Sequence, residues 1–164
     1  MSVIDIPELK SDLITLKPFS SETDLDYAIN LALKYKYSKL SENQLRQAAQ
    51  LYGKVFWNCF VGDKKIGFIV INKYQLENMA YMFTFDAYRD DEAVKGDKNA
   101  TEYSYHGADR ALRWTLNNIT PVIFSAPIKQ NRLGIRMLKR LGFKFVKQTD
   151  SFYGSYVVFK KERA

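Results

Sequence analysis

The stretch that decides the fold is Pro121 to Val146, PVIFSAPIKQNRLGIRMLKRLGFKFV. Its opening Val122-Ile123-Phe124 is an apolar run of the length of one buried strand. Pro127 has no N–H to give a sheet ladder, so the strand stops near Ala126. Asn131 suits a helix N-cap, because its side-chain oxygen can accept a hydrogen bond from a free backbone N–H of the first turn. From there a helix runs to about Leu141, with Ile135, Leu138 and Leu141 at core-facing spacing and Gly134 beside them for close backbone approach. Gly142 stands where a left-handed residue closes a helix. Phe143 and Phe145 then flank Lys144, and the chain returns as a strand.

Working outward, residues 1–12 read as an irregular lead-in and Leu13–Lys17 as a short strand stopped by Pro18. Ser21-x-x-Asp24 opens a helix whose apolar stripe is Leu25, Ala28, Ile29 and Ala32. Ser41-x-x-Gln44 opens a second one carrying Leu45, Ala48, Ala49 and Tyr52. Val55–Val61 and Ile66–Ile71 are β-rich runs joined by Gly62-Asp63-Lys64-Lys65, and Met79–Phe85 alternates as a further strand. Asp86–Asn99 is polar and reads as a loop. Ala108, Ala111, Leu112, Thr115, Leu116 and Ile119 trace an amphipathic helix, and Ser155–Lys160 closes the chain as a strand.

The strand–Asn–helix–Gly-Phe–strand unit resembles the last third of the GCN5-related N-acetyltransferase (GNAT) superfamily. The pattern there is Asn, a small residue three on, Ile-Arg, an apolar pair and Leu-Gly-Phe. Here it reads Asn131, Gly134, Ile135-Arg136, Met137-Leu138 and Leu141-Gly142-Phe143. The element order β α α β β β α β α β β is also the family's order, so the resemblance covers nearly the whole chain in topology and the last third in motif. It implies one α/β (α+β) domain over residues 1–164: a mixed, mostly antiparallel sheet with helices on both faces and a central V-shaped splay. It further implies transfer of an acetyl group from acetyl-CoA to an amine of a small molecule or protein. The exposed backbone of the strand ending in Phe83 and Phe85 would pair with the pantetheine arm, faced across the splay by Asn131.

Two departures from the family bear on the site. The phosphate loop, Gln/Arg-x-x-Gly-x-Gly/Ala, uses glycines and a helix N-terminus to aim N–H groups at pyrophosphate. In one register Arg89 takes the loop's Arg position, but Asp90-Asp91-Glu92 follow. In the other, Tyr103-Ser104-Tyr105-His106-Gly107-Ala108 keeps the final small residue and puts His106 where a glycine belongs. If the cofactor binds there, backbone N–H groups from His106 through Gly107 and Ala108 to Asp109 would hold pyrophosphate, with Arg110 or Arg89 adding charge. A helix starting at Thr101 would leave no loop at all. The second departure is Leu138, where many members carry the Tyr that protonates the leaving thiolate. The branch acting on ribosomal-protein N-termini also reads Leu there. Asp86 and His106 are the candidate bases.

Composition bounds the alternatives. Hydrophobic residues make up 46% of the 164, a globular proportion. No apolar run approaches a membrane span. The start, MSVIDIPELKSD, carries no secretory pattern, and the single Cys59 excludes an internal disulfide, so a reducing, cytoplasmic location is expected, in a cell or an infected host. One Cys and one His cannot form a zinc cluster. The net charge of +7 is uneven: from Arg110 onward twelve Lys/Arg face two acids, a net +10, leaving −3 on the first 109 residues. Such a third attracts an acidic partner. Arg132, Arg136 and Arg140 at i, i+4 and i+8 also read as a solvated helix face, and no nucleic-acid motif accompanies them. Against the enzyme stands a second reading, an inert GNAT-like structural or interaction protein of the phage-virion type, with a homodimer or assembly partner. The degraded phosphate loop favours that second reading.

Overall fold

The computed structural model describes residues 5–20, 22–35, 41–43, 46, 54–75, 81–151 and 154–164. In these residues the elements are β1 (Leu9–Lys10), β2 (Thr15–Pro18), α1 (Glu22–Lys34), β3 (Lys54–Val61), β4 (Lys64–Gln75), β5 (Tyr81–Arg89), α2 (Ala100–Asn118), β6 (Val122–Ser125), α3 (Arg132–Arg140), β7 (Lys144–Ser151) and β8 (Gly154–Glu162). The helix expected from Ser41, with its stripe Leu45, Ala48, Ala49 and Tyr52, lies largely outside the described residues, as does Met79. The lead-in contains β1, too short to show any periodicity.

One eight-stranded sheet runs in the order β1-β2-β3-β4-β5-β6-β8-β7. Every neighbouring pair is antiparallel except β5 with β6. The β3–β4 hairpin turns at Gly62, whose φ of 61° is open to glycine without strain. Period-2 alternation sends Val55, Trp57 and Cys59 of β3 to one face, where they join Ile69, Ile71, Phe85, Ile123 and Phe159. α2 covers that face with Ala108, Ala111, Leu112 and Leu116, and α3 adds Leu138. α1 lies on the other face, packing Ala28 and Ala32 against Phe68 and Val70. The helices therefore occupy both faces of a mixed sheet.

The focal unit folds as its residues dictate. Asn131 Oδ1 accepts the Gly134 N–H at 2.9 Å, which is the N-cap bond. A Cβ on Gly134 would stand 2.6–2.9 Å from the Asn131 side chain, so the small residue three positions on is what lets the cap close. Leu138 and Leu141 are buried while Arg132, Arg136 and Arg140 are exposed. At the far end Phe143 N–H returns to the Leu138 carbonyl at 3.0 Å, Gly142 takes φ 93°, and the Lys161 ammonium donates to the Leu141 carbonyl.

Candidate functional site

The wedge between β5 and β6 arises because each strand is drawn to its outer neighbour. Their parallel register is confined to Thr84↔Phe124. The Ser125 hydroxyl pins the apex by donating to the Phe85 carbonyl at 3.0 Å, a fully buried bond. Beyond it β6 ends, and the chain from Pro127 follows β8: the Pro127 carbonyl accepts Val157 N–H, and Lys129 N–H reaches the Ser155 carbonyl, each at 2.9 Å. β5 instead stays with β4 through Gly67↔Arg89, and Asp90 N–H donates to the Ile66 carbonyl at 2.7 Å. Antiparallel alternation from that bond turns the even residues toward β4 and leaves the peptide groups of Ala87 and Arg89 facing the wedge. Among the described residues no strand pairs with that edge.

The strand thus runs through Arg89, past the Phe85 end that its alternation suggested, and Asp86 lies within it rather than at the start of a loop. The open backbone edge moves accordingly. Phe83 and Phe85 flank Thr84 at its β6 pairing, and their side chains belong to the core, so the free peptide groups are those further along. Sequence alone missed this because Asp86 and Ala87 are poor strand formers, held in place by pairing with β4.

Asp86 faces the same side as its cross-strand partner Val70, the α1 side. It is half-buried and has no ion-pair partner among the described residues. Desolvation pushes its carboxyl from 3.8 up to about 7. His106 sits on α2, across the sheet from Asp86. It is half-buried, with its Nε2 3.8 Å from Glu102 Oε2 and its ring against Tyr105. No described contact brings the two candidate bases together. The fully buried Cys59 thiol is pushed up to about 12, which leaves it inert as a nucleophile.

Asn131 does more than cap. Its Nδ2 donates to the Tyr35 hydroxyl at 3.3 Å, and the Tyr35 ring meets the Tyr88 ring edge-on at 5.1 Å. Tyr88 in turn stacks on Phe68 at 4.7 Å. The end of α1, the start of α3 and the open end of β5 are joined through these side chains. Tyr35 and Ser125 were not legible as site residues, since neither stands in a motif.

The phosphate-loop expectation is corrected. α2 begins at Ala100 and runs unbroken to Asn118, so the N–H groups of His106, Gly107, Ala108 and Asp109 are spent on intrahelical bonds and cannot hold pyrophosphate. Gly107 and Ala108 are buried against the sheet, where a Cβ on Gly107 would stand 3.1 Å from Ile14 Cδ1. Asp109 pairs with Arg113 at 2.9 Å, and Arg110 is exposed. The true start of α2 carries both charges: Lys95 and Lys98 are exposed just ahead of it, beside Asp97 and Glu102. Asp97 accepts the Asn99 N–H and the Tyr103 hydroxyl, both at 2.9 Å. Glu102 takes a two-pronged bond from Arg140, at 2.9 and 3.0 Å, which holds its carboxyl below the usual range. The Arg140 guanidinium also lies 3.9 Å over the Tyr105 ring. Arg89 is matched to Asp91 at 2.8 Å and touches Ser104 at 3.5 Å.

No family model matches the chain, and no curated protein matches its sequence. Solved structures do match its architecture. An acetyltransferase from Agrobacterium tumefaciens strain C58 is 15% identical, with 99% of this chain and 98% of that one covered at a TM-score of 0.72. A GNAT-family acetyltransferase from Bacillus anthracis is 11% identical, over 95% and 98% of the two chains, at a TM-score of 0.67. The fold is that of the GNAT acetyltransferases. An aminoglycoside acetyltransferase in complex with coenzyme A is similar too, with 12% identity, 92% and 95% coverage and a TM-score of 0.71.

The GNAT fold implies acetyl-CoA, and the residues present fit one half of it. The open edge of β5 offers the alternating donors and acceptors that an extended, amide-bearing pantetheine arm requires. The pyrophosphate half does not fit. The N–H groups of His106–Asp109 are spent within α2, Asp97 and Glu102 stand at its start alongside Lys95 and Lys98, and the guanidiniums of Arg89 and Arg140 are each matched to a carboxylate. Among the described residues there is no His/Cys/Asp/Glu group able to hold a metal ion, and no helix is long and apolar enough to cross a membrane.

Proposed function

We propose that this chain is an acyltransferase that moves an acyl group, such as acetyl, from a pantetheine thioester to an amine. The observation that carries this is the wedge beside β5, with an unpaired backbone edge on one strand and Asp86 next to the Ser125–Phe85 apex, on the α1 face. An arm paired along Ala87 and Arg89 would be held extended, with its thioester directed toward the Ser125–Phe85 apex. That is catalysis by positioning, which converts an encounter of two molecules into an internal reaction. The amine approaches from the α1 side, where Asp86 stands. Its nitrogen bonds to the acyl carbon, the C–S bond breaks with its electron pair leaving on sulfur, and Asp86 accepts the proton that nitrogen gives up and releases it to the thiolate. Amine and thioester become amide and thiol. A carboxyl poised near 7 suits this exchange at neutral pH, because it is both a competent base and easily regenerated.

The test is thiol release from acetyl-pantetheine and acetyl-CoA over a panel of primary amines and polyamines. Turnover should rise with pH and level off above about 7 as Asp86 ionises. Asp86→Asn should lower the rate by roughly 10²–10⁴, the usual worth of a positioned base. His106→Gln should leave it intact. No thiol release with any amine, and no thermal shift from either thioester, would put the inert interaction-protein reading in its place.

A further inference from the structure

The missing pyrophosphate site and the uneven charge point to one conclusion when they are placed on the fold. No Asp or Glu occurs between Arg110 and Thr149. Within that stretch α3 presents Arg132, Arg136 and Lys139 to solvent, none with a partner among the described residues, with Leu133, 73% exposed, at their edge. Lys129 precedes this face, and Lys144 and Lys147 follow it, all exposed. The face adjoins the wedge. The N-terminus of α3 is tied to Tyr88 near the end of β5 through Asn131 and Tyr35, and its C-terminus is tied to the first turn of α2 through Arg140 and Glu102.

We infer that the acyl donor is presented by an acidic carrier-protein domain, its pantetheine arm lying in the wedge and its acidic surface on the cationic face of α3. This rests on the acyltransferase reading above and names its donor. A nucleotide-borne donor needs a loop of free N–H groups for its pyrophosphate, and the N–H groups of His106–Asp109 are spent within an unbroken α2. A protein-borne donor needs no such cradle, because the arm ends on a domain that stays outside the wedge. What it needs is a cationic surface beside the mouth of the wedge to steer and orient the domain, and α3 supplies one. Leu133 adds an exposed apolar side chain at the margin of that surface, which a docked protein domain can cover.

The experiment compares three donors on the full chain: acetyl-pantetheine, acetyl-CoA and an acidic acyl carrier protein bearing an acetylated pantetheine arm. Binding is read by calorimetry and transfer by thiol release. The loaded carrier should surpass acetyl-pantetheine by at least about tenfold at ~50 mM salt, and raising salt to ~300 mM should erase most of that gain. Arg136→Glu combined with Lys139→Glu should collapse the ratio of carrier to acetyl-pantetheine, with unchanged thermal stability showing that the variant folds. Acetyl-CoA should bind no better than acetyl-pantetheine. Acetyl-CoA binding more than about tenfold tighter than acetyl-pantetheine would overturn the inference by revealing a nucleotide site. So would a carrier that gains nothing, or an oligonucleotide that occupies the α3 face while the carrier does not. Failure of acetyl-pantetheine itself to bind or react would instead overturn the acyltransferase reading.

Discussion

Replacing Asp86 by Asn should make the protein more stable, and by an amount that depends on pH. In the unfolded chain an aspartate titrates near 3.9. In the fold, desolvation raises Asp86 to about 7. Below pH 4 both states hold the proton and the residue contributes nothing to the pH dependence. Between about 4 and 7 the unfolded state releases the proton while the folded state keeps it, so stability falls as pH rises. Above about 7 both states are ionised and the loss levels off. Three pKa units correspond to roughly 4 kcal/mol. That is an upper bound, since Asp86 retains some contact with solvent and the isosteric amide carries its own desolvation cost. Urea denaturation of both proteins at pH 4, 5.5, 7 and 8.5 isolates the term, because every other titrating group is common to the pair. The variant's advantage should grow through the middle of that range and then hold steady. A gap that stays flat with pH, or a parent protein that gains on the variant as pH rises, would refute the desolvated-carboxyl account and with it the case for Asp86 as base.

Leu138→Ala should cost about 2–5 kcal/mol, because the side chain is 4% exposed and packs under α3. Arg136→Ala, two residues earlier and on the opposite, exposed face, should stay within about half a kcal/mol. Equal losses in thermal unfolding would mean that the helix packs by its other face. Gly67→Ala should cost about 1–3 kcal/mol by overpacking, since the added Cβ would stand 2.2 Å from the Tyr88 carbonyl oxygen across the β4–β5 ladder. Hydrogen exchange in that variant should quicken at Asp90 N–H, which bonds Ile66 beside the strained pair.

The parts of the fold that could be read in advance are those where one residue has one physical use. Asn131 as cap, Pro127 as strand stop, Gly142 as left-handed terminus and Leu138 as core all behave as their chemistry dictates. The boundaries that moved are those decided by a partner distant in sequence. β5 extends to Arg89 because β4 offers it a ladder, and nothing within Asp86-Ala87-Tyr88-Arg89 announces that. α2 begins at Ala100 because the Asp97 carboxylate accepts the Asn99 N–H, the Asp97 backbone carbonyl accepts the Ala100 N–H, and the Tyr103 hydroxyl turns back to the same carboxylate. Gly107 looked like part of a phosphate loop. Its actual use is a close approach of α2 to Ile14 and Leu16, and glycine spacing alone does not tell the two uses apart.

The two halves of the implied cofactor site have separate physical origins, which is why one can be present without the other. The pantetheine edge is made of peptide groups. It requires only that β6 leave β5 for β8 and that β5 remain with β4, and a ladder of that kind tolerates almost any side chain. An open edge of that kind therefore asks for no particular sequence, and the fold around it matches the GNAT structures at 11–15% identity. A pyrophosphate cradle depends on residue type, since it needs glycines in a loop and a helix N-terminus free of negative charge. Here that helix start is filled from within: Asp97 accepting the N–H of the N-cap residue Asn99, Glu102 in the first turn, and Arg140 drawn across to it. Restoring a cradle would take more than deleting one carboxylate. Glu102→Gln would free Arg140 for phosphate but leave α2 unbroken through Gly107, its N–H groups still turned inward. That variant should gain little affinity for acetyl-CoA over acetyl-pantetheine in calorimetry. A large gain would show that charge alone, and not the helix, had closed the site.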